Sequence, residues 1–235
     1  RYLIKKNIFY LRINHAKYKK SHLNKLILKM DFSSKLIEEA VNAFSSLPGI
    51  GKKTALRLVI HLLQSDIQKT EKFSHSLLKM RTDIKFCTKC NNVSDENICN
   101  ICSNQRRDNT TICIVENFRD ILSIENTHHY HGTYHVLDGL ISPIEGIGPD
   151  KLNIPSIINR IEKGEVKELI MALNPTIDGD TTIFYLSKIV SKYGIKITTI
   201  ARGISFGGEL EYVDDITLGR SISARVPFEN YLSGQ

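Results

Sequence analysis

The 235-residue sequence lacks any run of about 18 consecutive apolar residues, so no helix is expected to span a membrane. It also lacks the long apolar core and small-residue cleavage site of a secretory signal near its start. At 41% hydrophobic and 24% charged, its composition is that of an ordinary globular protein. The length allows one large domain or two smaller ones, each with its own core.

Acidic residues are missing from the first 29 positions. That segment holds nine of the 32 Lys and Arg and none of the 25 acids, so residues 30–235 carry 23 basic and 25 acidic residues, a net of −2. The overall charge of +7 is therefore a property of the N-terminal segment, and any nucleic-acid contact in the body must be a local patch. Three readings of residues 1–29 are open. The natural start is expected at Met30, with the upstream residues an extension outside the fold. The alternatives are a basic arm that touches DNA and an organelle transit peptide, for which the segment is poor in Ser.

Cysteines are few. Four of the five form two close pairs and Cys113 stands alone, which reads as a metal site in a reducing compartment. The spacing Cys87-x2-Cys90-x8-Cys99-x2-Cys102 lets two tight knuckles offer four thiolates to one ion. A closed tetrahedral Zn2+ site has no open position for water, so the expected metal is structural, one per chain. Two disulfides and an iron–sulfur centre are the competing readings. Cys113 sits in an apolar run and reads as core.

Apolar residues recur at helical spacing over 33–46 and again over 52–64, where Ala55, Leu58, Val59, Leu62 and Leu63 share a face. A third helical stretch covers 66–81. Between the first two lies Leu47-Pro48-Gly49-Ile50-Gly51-Lys52-Lys53-Thr54-Ala55, a helix-hairpin-helix. Gly49 and Gly51 allow backbone conformations that a Cβ would block. The hairpin amides would then face a phosphate oxygen at the start of the second helix, with Lys52 and Lys53 adding charge. Lys53 and Arg57 share a helix face. Nothing here reads a base edge, so binding should be sequence-independent. The plainer reading is an αα-hairpin with solvated lysines, Leu47 and Ile50 forming its core. A phosphate-binding P-loop would need glycine where Ser46 stands.

From Thr111 the pattern changes to short strands alternating with helices. Strands are expected at Ile112–Val115, Tyr134–Leu137, Glu168–Leu173 and Ile195–Ile200. Helices are expected at 118–126, 154–163 and 181–193, the last closed by Gly194. This implies a parallel sheet covered on both faces. Glu116 directly follows the first strand, and Asp178 and Asp180 follow the third. Such strand ends are where ligands sit in open sheets, and a Glu with an Asp-x-Asp can hold Mg2+ as Toprim domains do. Alternatively the acids are solvated, with Asp180 capping a helix that begins near Thr181. His128, His129, His131 and His135 read as a loop entering a strand, with metal binding the lesser alternative. The tail from 203 opens Gly-rich and continues in an apolar-acidic stretch, Leu210–Ile216.

In this order the pieces resemble the bacterial RecR family over nearly all of residues 31–235. The carrying segments are Leu47–Leu58, Cys87–Cys102, Ile112–Glu116, Gly132–Leu137, Ser142–Pro149, Asn174-Pro175-Thr176 and Gly207–Asp214. The resemblance implies a helix-hairpin-helix domain (30–82), a four-cysteine zinc finger (83–106), a Toprim domain (110–205) and a Walker-B-like oligomerisation segment (206–235), with 1–29 outside the fold. It implies a cytoplasmic, nucleoid-associated, ring-shaped homo-oligomer, a tetramer or dimer. This oligomer would clamp single-stranded/double-stranded DNA junctions and act with RecO, and with RecF where present, to help load RecA onto gapped DNA coated by single-strand-binding protein. Lys53 and Arg57, with Lys52, Gly49 and Gly51, fall to DNA contact, and Glu116, Asp178 and Asp180 to partner binding. The family usually has two glutamates where this chain has Asp178 and Asp180, which brings the site closer to a catalytic Toprim. No nucleophilic tyrosine is evident, since Tyr130, Tyr134 and Tyr212 suit packing and interfaces, so no catalysis is expected. The alternatives are a Mg2+-dependent Toprim nuclease or primase-like enzyme, and a scaffold whose DNA affinity comes only through RecO.

Overall fold

A computed structural model describes residues 34–228. The basic segment 1–29, the start at Met30 and positions 229–235 lie outside the described residues. The chain divides into two compact units after Leu78.

The first unit contains α1 (Lys35–Ser45), α2 (Lys52–Gln64) and the opening turns of α3 (Ile67–Asp83). Val41, Ala55 and Val59 form its buried centre, with Ile37, Ala40, Phe44, Ile50 and Leu56 around them. These are positions that recur every three or four residues, so the amphipathic pattern itself builds the pair. Phe44 stacks on Phe73 with centroids 6.4 Å apart. Leu47, expected in the hairpin core, is 51% exposed. The turn that brings Ile50 N to 3.2 Å from Leu47 O returns only Ile50 to the core.

The second unit begins with a two-stranded antiparallel ribbon, β1 (Lys85–Phe86) and β2 (Val93–Ser94), followed by the short helix α4 (Asn100–Ser103). The main sheet follows: β3 (Asp108–Val115), β4 (Gly132–Val136), β5 (Glu168–Met171) and β6 (Lys196–Thr199), all parallel in the order β4-β3-β5-β6. Three helices make the crossovers: α5 (Phe118–Glu125), α6 (Ile154–Glu162) and α7 (Ile177–Val190). Right-handed crossovers put α5 on one face and α6 and α7 on the other, and the cores agree. Ile112, Ile114, Leu169 and Met171 pack with Ile157, Ile161, Leu186 and Val190. Cys113, Val115, Tyr134 and Val136 pack with Ile121 on the opposite face. Both faces of β3 are dry, which is why its sequence reads as an unbroken apolar run.

Helix α7 starts at Ile177, four residues before the expected Thr181. Its N-cap is Thr176, whose hydroxyl accepts Gly179 N–H at 3.0 Å. Asp180 therefore does not cap it. Asp178 and Asp180 lie in the first turn, where the helix dipole favours acids. Gly194 takes the expected left-handed closing conformation, with φ 65°. The tail holds a 3-10 turn (Leu210–Tyr212) and an unexpected helix α8 (Asp215–Ser223). No residue from 201 to 228 is buried.

Candidate nucleic-acid interface and metal centre

Gly49 carries a φ of +80°, a conformation that side chains disfavour, and this closes the hairpin between α1 and α2. Gly51 is the N-cap of α2 and offers no side chain to the amides that follow. The first turn of α2 thus keeps unsatisfied N–H groups and contains no acid. Lys52, Lys53 and Arg57 are exposed beside it. Among the described residues no acidic side chain pairs with any of the three. A phosphate oxygen placed there would meet free donors, a favourable dipole and mobile cations.

In the second unit, Cys87, Cys90, Cys99 and Cys102 bring their four Sγ atoms within 4.8 Å of one another, the only such cluster of potential ligands among the described residues. Cys90 Sγ and Cys99 Sγ are 3.6 Å apart. A tetrahedron with metal–sulfur bonds of about 2.3 Å has edges of about 3.8 Å, so the donor set fits zinc. The knuckle geometry is visible in the backbone: Cys99 N–H points at Cys87 Sγ (3.3 Å), and Asn91 adopts a φ of 61°. Hydrogen bonds from Cys102 and Cys90 hold the Cys99 thiol far below its ordinary range, while sharing with Cys102 and Cys99 pushes Cys90 up. Four crowded soft donors competing for protons favour a cation that replaces the protons. Cys113 is buried in the sheet, where desolvation raises its thiol to about 12, and it stays apart from the cluster.

The expected acids lie at the C-terminal ends of the strands. The sheet order reverses between β3 and β5, and this switch point is where open sheets bind ligands. Glu116 follows β3, and its Oε2 accepts Asn174 Nδ2 at 3.0 Å from the end of β5. Asp180 is held by Arg202 through two hydrogen bonds of 2.5 and 3.2 Å. That contact holds its carboxyl below the usual range. Glu116, Asp178 and Asp180 are not gathered into a metal-ligating group. A cavity of about 770 Å3 opens at these strand ends, with Asn174, Arg202, Asp214 and Arg220 in its wall. The sequence reading missed Asn174 and Arg202 as partners of the acids, although both follow strands as the acids do. The histidines do not form a metal cluster among the described residues. His135 is buried on β4, bonded through Nε2 to Asn153 O at 2.7 Å, and burial lowers its pKa to about 4.

Comparison with known proteins assigns the parts. Family models match residues 37–81 (RecR, helix-hairpin-helix), 84–104 (the RecR zinc finger domain with four cysteines), 110–201 (Toprim domain) and 203–226 (RecR, C-terminal). A recombination protein RecR of Flavobacterium johnsoniae is 59% identical over 200 residues, covering 85% of this chain and 97% of that protein. The chain belongs to the RecR family. Recombination proteins RecR of Cytophaga hutchinsonii, 56% identical over 85% of this chain and 98% of that protein, and of Bacteroides thetaiotaomicron, 50% identical over 86% and 98%, are also similar. The RecR-type hairpin and the four-cysteine finger coincide with the two sites built above. No described helix is long and apolar enough to cross a membrane.

Proposed function

We propose that this chain is a DNA-binding recombination and repair mediator that turns over no substrate. In this reading it acts in the cytoplasm as a ring-like homo-oligomer, a dimer or tetramer closed partly by the tail. It works with RecO, and with RecF where present, to promote RecA loading at gapped DNA. The observation that carries the reading is the open first turn of α2, with its uncapped amides and Lys52, Lys53 and Arg57 free of acidic partners among the described residues. Gly49 and Gly51 let the hairpin backbone approach phosphate. Cys87, Cys90, Cys99 and Cys102 hold one structural Zn2+ per chain. Zinc would supply a crosslink there and no chemistry on DNA, because all four of its positions are taken by thiolates. Absence of catalysis is supported by the Arg202 guanidinium on Asp180, which occupies the charge a metal would use. Glu116 and Asp178 then serve partner binding.

A Mg2+-dependent Toprim nuclease or primase-like enzyme is the second reading. It is favoured by Glu116 and Asn174 meeting at the switch point and by the Asp178–Asp180 pair after β5.

One experiment separates them. End-labelled gapped DNA is titrated with the zinc-loaded chain in Mg2+ or Mn2+ and followed by anisotropy, and the same samples are run on a denaturing gel. Binding with intact DNA is expected. The double variant Lys53→Ala/Arg57→Ala should bind all sequences more weakly, with the salt slope reduced by about 2, one per lost phosphate contact. Unchanged affinity removes the assigned surface, and no binding by the chain alone points to a scaffold that reaches DNA through RecO. Cleavage that disappears in Glu116→Gln establishes the enzyme.

A further inference from the structure

The segment that leaves β4 is a closed hairpin with a bare apolar tip. Ser142 and Ile147 exchange backbone hydrogen bonds of 3.0 and 2.9 Å, and Gly146 N–H donates to Pro143 O at 3.3 Å, so the turn is Pro143-Ile144-Glu145-Gly146. Gly146 completes it with a φ of +67°. On either side the chain returns to the interior. Ile141 and Ser142 are buried, and Ile147 packs against the core beneath α6 and α7. Ile144, between them, is 95% exposed, the most exposed aliphatic side chain among the described residues.

The hairpin is also held from outside. Ile141 N–H donates to Thr182 Oγ1 on α7 at 2.9 Å, and that hydroxyl donates to Asp178 O at 2.7 Å. Asp138 N–H, where the segment begins, donates to Glu116 O at 2.9 Å. Lys151 Nζ reaches Gly146 O at 2.8 Å. A lone exposed apolar residue is ordinary on a protein surface. One carried on a fixed turn differs, because a partner that closes on it has little further ordering to impose. Charge decides the kind of partner. Residues 138–150 contain three acids, Asp138, Glu145 and Asp150, all exposed, and no Lys or Arg. Among the described residues none of these acids has a basic partner. This is the reverse of the first turn of α2, which has cations and no acid. Phosphate is repelled here, and a basic protein surface is attracted.

We propose that the Pro143–Gly146 turn is a docking knob for a basic protein partner, in which Ile144 fills an apolar pocket of that protein and Glu145 meets a lysine or arginine at the pocket's rim. It rests on the partner-binding reading of Glu116 and Asp178 given above, and extends that surface to a hairpin bonded to both residues through the backbone. An apolar anchor closed off by a polar rim is the arrangement in which a few residues carry most of a binding energy. The exposed acids add a salt-sensitive attraction before contact is made.

The test uses the full chain and purified RecO from the same organism, the partner named in that reading, with Ile144→Ser and Glu145→Lys as separate variants. Both side chains stand at the surface, so both variants should melt with the wild type. Binding to RecO is measured by biolayer interferometry at low and high salt, and binding to gapped DNA by anisotropy. Ile144→Ser should weaken RecO binding about tenfold or more. Glu145→Lys should weaken it and flatten its dependence on salt. DNA affinity should be unchanged in both. Unchanged RecO affinity in either variant overturns the proposal and leaves the partner reading standing. A loss of DNA affinity in Ile144→Ser overturns it as well, because the tip would then be a nucleic-acid contact. No binding between the wild-type chain and RecO removes the partner reading itself, and the knob with it.

Discussion

Gly179 sets two physical effects against each other. It is the third residue of α7, and helix propensity alone favours alanine there by up to about 1 kcal/mol. A Cβ at this position would collide with Asn174 O and lie 3.2 Å from the carbonyl carbon. The obstacle is backbone, fixed in the turn by Thr176 N–H donating to Asn174 O at 2.8 Å. Overpacking costs about 1–3 kcal/mol, and a collision with backbone this close belongs at the upper end. After the propensity gain, Gly179→Ala should lose roughly 2 kcal/mol. For a chain of this size that lowers Tm by roughly 4–8 °C. The relief must move Asn174, so its 3.0 Å bond to Glu116 should go as well. Calorimetric unfolding of the zinc-loaded chain measures the loss, and hydrogen exchange over 172–180 localises it. Gly219→Ala, in α8 where a Cβ meets nothing within 4 Å, is the matched control and should melt no lower than wild type. A Gly179→Ala protein melting at or above the wild-type temperature would refute the claim that this turn is rigid and fixes the switch point.

Zinc removal should be felt beyond the finger: with Val136 bonded to Cys90 O, chelation is expected to speed amide exchange over 132–137 in β4. Unchanged protection there would mean that the strand edge stands without the module. His135 supplies a pH dependence. Its folded pKa, about 4 against an ordinary 6.5, means that the unfolded chain binds the proton first. Its neutral form is fully accommodated above pH 6.5, and about 3 kcal/mol is lost as pH falls from 6.5 to 4. Acid also protonates zinc ligands. The measure is therefore the difference in Tm slope between wild type and His135→Gln, which should flatten over that window. Parallel slopes would remove His135 from the account.

Much of this architecture is written in local patterns. The apolar spacing of α1 and α2 places both helices within two residues, because their buried face is the repeat itself. Ile112–Val115 reads correctly as a doubly buried strand since no polar residue interrupts it. The Cys-x2-Cys pairs announce their cluster because a knuckle is a local structure. Misreadings arise where a distant or neighbouring group decides. The start of α7 reads four residues late because Thr176, the true cap, follows a proline and looks like loop, while Asp180 has the chemistry of a cap. Leu47 reads as core from its apolarity alone, but the turn at Gly49 leaves it outside. Arg160 carries no signal at all, since it is one basic residue at the end of an amphipathic helix. Only the fold brings it to the backbone of β4, where it bonds Tyr134 O and Thr133 Oγ1.

The acids show how far such reasoning reaches. Position after a strand fixes where a Cα lies, and by that rule Glu116, Asp178 and Asp180 belong at one end of the sheet, where they are found. A metal site needs more, namely carboxylates converging on one point with no cation already there. Glu116 turns to Asn174, which is neutral and leaves its charge in place. Asp180 turns to Arg202, which follows β6 and so reaches the same end of the sheet by the same rule. The pattern that suggests a catalytic Toprim therefore also contains the arginine that opposes it. A divalent ion would have to displace a guanidinium bound through two hydrogen bonds before it could bridge Asp180 to Glu116. On the proposed non-catalytic reading, that displacement, more than the one-methylene difference between aspartate and glutamate, would oppose a metal ion at Asp180.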